Sequence, residues 1–199
     1  MRIEEGVELA RLTTLGTGGP ARTFARPESE QELDELLRWA EQRSLRVAVV
    51  GLGSNLLAAD EGVDALVLKL GGELASVEID GDVLRVGGGA ANAVALHRAR
   101  AAGLGSFEFA CAIPGTIGGG VWMNAGAYGG DFAGVLERAL VATAEGSGWL
   151  TPAELGLSYR HSELRHGQVV VRAELRLRPR PPEEIKAGFA LTEHFLRGH

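Results

Sequence analysis

Apolar positions at Leu33, Leu36, Leu37 and Ala40 fall on one face of a 3.6-residue repeat, and Ser29 with Glu32 forms a capping-box pattern. A helix is therefore predicted from Ser29 to about Ser44. Residues 47–50 are a short apolar run fit for a buried strand, and residues 64–70 read as another. A hairpin is predicted from residues 77–79 and 83–86, which flank Asp80-Gly81, a strong turn signal. Gly87-Gly88-Gly89 closes it, and an alanine-rich helix over 90–102 follows, stopped by Gly103. His97, Arg98 and Arg100 lie on that helix as a solvated face. Residues 135–142 and 169–177 read as strands; the second alternates, which makes Arg172, Arg176 and Arg178 surface charges. Thr151-Pro152-Ala153-Glu154 has the cap and first-turn proline of a helix start.

One stretch breaks these patterns. Residues 109–131, FACAIPGTIGGGVWMNAGAYGGD, are apolar and nearly uncharged, yet carry Gly115, Gly118, Gly119, Gly120, Gly126, Gly129 and Gly130. Low charge indicates burial, but glycine costs backbone entropy and fills no core. Two readings fit: a ligand pressed against the backbone, or tight backbone packing at a turn. Gly51-Leu52-Gly53-Ser54-Asn55-Leu56-Leu57 follows the strand at 47–50. Such a loop can present successive N–H groups to an anion, and a plain turn fits equally. It is not the usual dinucleotide fingerprint, because Leu56 stands where the third glycine belongs, and no Gly-Lys-Ser/Thr makes it a P-loop.

Composition narrows the function. The chain of 199 residues has a net charge of −6, which argues against a general nucleic-acid binder and makes an anionic ligand a local electrostatic problem. No apolar segment reaches membrane-spanning length unbroken, and MRIEEGVE has no apolar stretch behind its charges. The single cysteine, Cys111, excludes an internal disulfide framework and fits a reducing cytoplasm; it reads as a small core residue. A cytoplasmic monomer without a bound metal is expected.

The run IPGTIGGGVWMNAGAYGGD closely resembles the long glycine-rich signature of the bacterial enolpyruvyl-UDP-N-acetylglucosamine reductases. Further segments match. Thr14, Gly18, Gly19, Pro20 and Ala21 fit the family's T-x-x-x-G-G-P-A opening; Gly51, Gly53, Ser54 and Asn55 fit its V-x-G-x-G-S-N pyrophosphate loop. Residues 104–108 resemble the segment before the signature, with Phe107 for the usual leucine. Tyr159, Arg160 and Ser162 fit its Y-R-x-S motif.

The resemblance implies an α+β fold: a two-lobed FAD-binding domain of the vanillyl-alcohol-oxidase/PCMH type with mixed sheets, lobes at 1–69 and 70–180. It implies FAD held non-covalently, since no histidine stands near Asn55, with NADPH as hydride donor. Implied cofactor contacts are Gly51, Gly53, Ser54, Asn55, Pro114, Gly115, Thr116, Gly118, Gly119, Asn124, Gly126, Ala127 and Tyr128. A Cβ at Gly53 is expected to meet the pyrophosphate or to force a conformation that only glycine tolerates. The implied reaction is reduction of the enolpyruvyl ether of UDP-N-acetylglucosamine to UDP-N-acetylmuramate, with Arg160 and Tyr159 catalytic and Arg160 facing the enolpyruvyl carboxylate.

The family continues into a third domain whose serine protonates the substrate. Ser106, in Gly105-Ser106-Phe107, is out of place for that role. Residues 181–186 resemble the start of that domain's first helix, and GFALTEHFLRGH resembles nothing expected there. The resemblance thus covers roughly residues 12–186, and 181–199 read as a truncated domain or an aberrant tail. The absence of an insertion between Leu164 and Val169 points to the compact branch. Two rivals follow: another flavin oxidoreductase of the superfamily, and a non-catalytic flavin-binding fragment.

Overall fold

The structure is a computed structural model that describes residues 2–187. A first, mixed sheet joins β1 (Ile3–Glu8), β2 (Pro20–Ala25), β3 (Arg46–Val49) and β4 (Val63–Leu68) in the order β1-β2-β4-β3. β1 runs antiparallel to β2, whereas β2, β4 and β3 are parallel. The β2-to-β3 crossover is α1 (Glu30–Glu41). Ser29 caps it by accepting from the Glu32 N–H at 3.2 Å, while the Glu32 carboxylate accepts from the Glu28 N–H at 2.8 Å. The capping pair therefore closes one residue earlier than the usual box.

The second sheet is antiparallel, in the order β11-β10-β12-β6-β5. Its strands are β5 (Val77–Asp80), β6 (Val83–Gly87), β10 (Leu136–Thr143), β11 (Gly146–Leu150) and β12 (Val169–Arg176). Between β6 and β10 come α2 (Asn92–Ala101), β7 (Leu104–Gly105), a 3-10 turn over Glu108–Ala112, α3 (Ile117–Trp122), β8 (Gly126–Ala127) and β9 (Gly130–Asp131). A two-residue β13 (Arg178–Pro179) pairs with β7, and residues 182–187 are helical. The tail expectation for residues 188–199 lies outside the described residues.

The apolar face of α1 joins the two sheets. Leu33, Leu36, Leu37 and Ala40 pack with Leu66 and Leu68 of β4, and with Leu140, Ala142, Val169 and Val171 of β10 and β12. Each fully buried leucine contributes about 1.5–3 kcal/mol of transfer free energy. The other face of the second sheet is covered by α2, α3 and a triad of Phe107, Phe109 and Phe132. The three rings meet edge to face, with centroids 5.4–5.9 Å apart. On the far face of the first sheet, Leu9 and Leu12 cover Ala21, Phe24, Val50 and Val67.

Two expectations are corrected. The helix start at Thr151 leads to no helix: Thr151 and Glu154 exchange their capping bonds, the Leu155 N–H reaches the Thr151 carbonyl, and Gly156 at φ +56° turns the chain away. The strict alternation expected of β12 is interrupted, because the β10–β12 register shifts between Leu140 and Val141. Val171 thereby faces α1 while Ala173 and Leu175 face the opposite core. Among the described residues no helix is long and apolar enough to cross a membrane.

Candidate cofactor and substrate site

Three loops converge beyond the carboxyl ends of the parallel strands. Residues 51–55 follow β3; residues 12–14 lie beneath them; residues 113–116 arrive from the second sheet's side. The Thr14 N–H donates to the Gly53 carbonyl at 3.0 Å, and the Ser54 hydroxyl donates to the Pro114 carbonyl at 2.7 Å. A Cβ at Gly51 would stand 2.6 Å from the Thr116 hydroxyl oxygen, so these loops are in direct contact.

Hydrogen bonding gives this junction its polarity. The Ile113 and Gly115 carbonyls accept from the Asn92 side-chain amide (3.1 Å) and the Asn92 backbone N–H (3.0 Å). The Thr116 carbonyl accepts from the Gly120 N–H at 2.9 Å. Among the described residues, the N–H groups of Gly51 through Asn55, and of Gly115 and Thr116, donate to no acceptor. Carbonyls turned inward and N–H groups left over make a surface suited to an anion. Gly115 and Gly119 leave the approach open: a Cβ on either would come no nearer than 3.7 Å to any atom. A diphosphate-bearing cofactor fits such a cradle.

The two readings of the glycine-rich run divide by residue. Gly120 and Gly130 make room for aromatic rings, since a Cβ would strike Phe132 at the first and Phe109 (2.7 Å) at the second. Gly118 packs against β12 and the end of β6, its N–H donating to the Gly88 carbonyl at 2.8 Å. These answer to tight packing. Gly53 does too: at φ +68° its Cβ would run into the Leu12 carbonyl, with the Thr13 Cα at 2.7 Å. The expected clash with a phosphate is preceded by a clash with the chain itself. Cys111 is half-buried rather than a full core residue.

The remaining candidates form a second group. β8 and β9 are a hairpin turning at Tyr128 (φ +50°) and Gly129 (φ +81°), and it packs on the 3-10 turn that leads into Pro114. Ser158 and His161 bracket a tight turn with Arg160 at φ +55°. Arg160 donates from Nη2 to the Gly126 carbonyl at 2.8 Å, and Tyr159 is 90% exposed with its ring 5.9 Å from the guanidinium. Asn124, at φ +38° and 3% exposed, spends its side chain inside the protein. Nδ2 donates to the Ser158 carbonyl (2.9 Å) and to Asp131 (3.3 Å), and Oδ1 accepts from the Ala133 N–H (2.9 Å). Ser162 is likewise committed, donating to the Trp122 carbonyl at 2.6 Å.

Asn92 is the residue that sequence reasoning missed. It shares its stripe with Ala95, Leu96 and Ala99, and an asparagine on the apolar face of an alanine-rich helix was the available signal. Among the described residues no group of histidine, cysteine and carboxylate side chains could hold a metal ion.

The FAD binding domain family matches residues 21–148. UDP-N-acetylenolpyruvoylglucosamine reductase 2 of Symbiobacterium thermophilum is 43% identical over 197 residues, covering 98% of this chain and 64% of the relative. The crystal structure of UDP-N-acetylenolpyruvylglucosamine reductase from Thermus caldophilus superposes with a TM-score of 0.89 at 37% identity, covering 100% of this chain and 71% of that one. A solvent-stable cholesterol oxidase, 19% identical with a TM-score of 0.68 over 89% of this chain and 38% of its own, shares the fold. The chain spans about 57–64% of the length of the curated relatives that it matches. With its mixed first sheet, its antiparallel second sheet and its glycine-loop junction, the chain belongs to the UDP-N-acetylenolpyruvoylglucosamine reductase family and carries that family's FAD binding domain.

Proposed function

We propose that this chain is the FAD-binding part of an enzyme that reduces the enolpyruvyl ether of UDP-N-acetylglucosamine to UDP-N-acetylmuramate with NADPH. The observation that carries this reading is the Ser54–Pro114 bond, which locks together two loops whose N–H groups are left without acceptors. Gly51, Gly53, Ser54 and Asn55 with Pro114, Gly115, Thr116 and Gly119 hold the cofactor's diphosphate. Gly126, Ala127 and Tyr128 stand toward its other end, on the hairpin that Arg160 clasps. Gly118 and Asn124 support these loops from behind, through the Gly88 and Ser158 carbonyls.

FAD, held by these loops, would supply hydride transfer between NADPH and the substrate's vinyl carbon. The protein's own part is electrostatic and positional. Arg160 has five N–H donors, one of them fixed on the Gly126 carbonyl. That anchor holds the guanidinium in place, and its other donors face a substrate carboxylate and the negative charge that grows beside it. The 5.9 Å separation from the Tyr159 ring keeps the phenol beside the cation without a stacking clamp. The proton that completes the reaction has no assigned donor among the described residues, and lack of a positioned donor costs about 10²–10⁴-fold in rate.

The test uses the FAD-loaded chain under anaerobic conditions. NADPH should bleach the flavin's visible absorbance slowly. The enolpyruvyl sugar nucleotide should perturb the oxidised spectrum in the parent and not in Arg160→Met, and should reoxidise the reduced protein far more slowly than oxygen does. No bleaching with NADPH, together with no perturbation by substrate, would overturn the proposal.

A further inference from the structure

We infer that Asn92 is a positioning residue for the cofactor's diphosphate, acting through the loop at residues 113–116 without touching the ligand. The inference rests on the FAD reading above and concerns a residue on a different element, the first turn of α2. Asn92 is 1% exposed, and its Oδ1 is a buried acceptor with no partner. A buried polar atom left unpaired is destabilising, so the amide keeps its one bond, from Nδ2 to the Ile113 carbonyl, against an opposing cost. An alanine at this position would match Ala95 and Ala99 on the same stripe.

What the amide does is pin a loop. The Asn92 side chain donates to the Ile113 carbonyl at 3.1 Å, and the Asn92 backbone N–H donates to the Gly115 carbonyl at 3.0 Å. The carbonyl between them, Pro114, is taken by Ser54 at 2.7 Å. Three successive carbonyls are thus turned into the protein. Because N–H and C=O of a trans peptide point in opposite directions, the N–H groups of Gly115 and Thr116 are turned the other way. That is the orientation an anion requires. Gly115 sits at φ +148°, a conformation that side-chain-bearing residues rarely adopt, so the loop needs holding. Asn92 and Ser54 hold it together.

The experiment compares FAD affinity and apoprotein melting for the parent, Asn92→Ala, Ser54→Ala and the double variant. Asn92→Ala should weaken FAD binding about 10-fold while the apoprotein melts near the parent temperature, because removing the unpaired acceptor offsets the bond lost at the Ile113 carbonyl. The double variant should lose less affinity than the product of the two single losses, since both residues pin one loop. Asn92→Asp, which places an acceptor against the Ile113 carbonyl, should lose more than Asn92→Ala. Unchanged affinity in Asn92→Ala overturns the inference and leaves FAD binding by the parent intact. Weakened affinity with a lowered apoprotein melting temperature overturns it as well, by showing a merely structural role. Failure of the parent to bind FAD would instead remove the reading beneath it.

Discussion

Arg160 and Gly126, 34 positions apart, are joined by a guanidinium-to-carbonyl hydrogen bond of 2.8 Å. The bond ties two hairpins that hold non-glycine residues in the left-handed region: Asn124 at the entry and Tyr128 at the turn of one, Arg160 in the turn of the other. Such conformations cost about 1–3 kcal/mol each and persist where the surroundings impose them. Here the second tie, from Asn124 to the Ser158 carbonyl at 2.9 Å, supplies that constraint.

Replacing Arg160 by glycine should therefore leave stability nearly unchanged. Relief of the left-handed strain (about 1–2 kcal/mol) offsets loss of one hydrogen bond (about 1 kcal/mol). Urea unfolding should show a difference within about 1 kcal/mol. A large loss would mean that Arg160 serves the fold.

Asn124→Ala should behave in the opposite way. It removes the bond to the Ser158 carbonyl, which keeps the His161 N–H, leaves the half-buried Ala133 N–H without its acceptor, and keeps a side chain at φ +38°. Loss of these bonds costs about 1–3 kcal/mol, and unfolding should shift by about that amount. An unshifted transition would show that the two hairpins do not depend on this amide.

Gly53→Ala distinguishes two reasons for one glycine. If only a ligand's phosphate excluded a Cβ, the apoprotein would melt normally and FAD binding alone would suffer. The Leu12 carbonyl and the φ of +68° predict instead that the apoprotein is destabilised by about 2–4 kcal/mol. A melt of the cofactor-free variant decides.

Glu174 supplies a pH dependence. Its carboxylate lies 2.7 Å from Arg138 and 3.3 Å from Arg85. The hydrogen bond from Arg138, with both guanidinium charges, holds its pKa below the ordinary value against the opposing effect of burial. A lowered folded-state pKa stabilises the protein above the unfolded value of about 4.3, and this contribution is lost as pH falls through the folded value. Glu174→Gln should be less stable than the parent at neutral pH, with the gap narrowing below about pH 4. A gap that persists unchanged in acid would contradict the pairing.

Much of the framework was legible because local and tertiary signals agreed. The α1 stripe, its Ser29 cap and the Asp80-Gly81 hairpin all form as their patterns require. β1 and β11 were missed because both lie at sheet edges, where IEEGVE and GSGWL carry charge and glycine in place of apolar alternation. The Thr151 signal was real but local: its capping bonds form, and Gly156 ends the turn before a helix can follow. In the site, family resemblance located both glycine loops. It could not say which glycines faced Phe109 and Phe132 and which faced outward, because that depends on residues distant in sequence. Asn92 escaped for a related reason, since its partners, Ile113 and Gly115, lie across the loop junction.

The junction of residues 51–55 and 113–116 is proposed to hold FAD through non-covalent contacts to its diphosphate. Titrating the purified, cofactor-free chain with FAD tests it most directly, followed by gel filtration and acid precipitation. The expected result is a yellow protein carrying one FAD per chain, with all the flavin in the acid supernatant. A chain that elutes colourless after saturation with FAD, or flavin retained in the acid pellet, would contradict it.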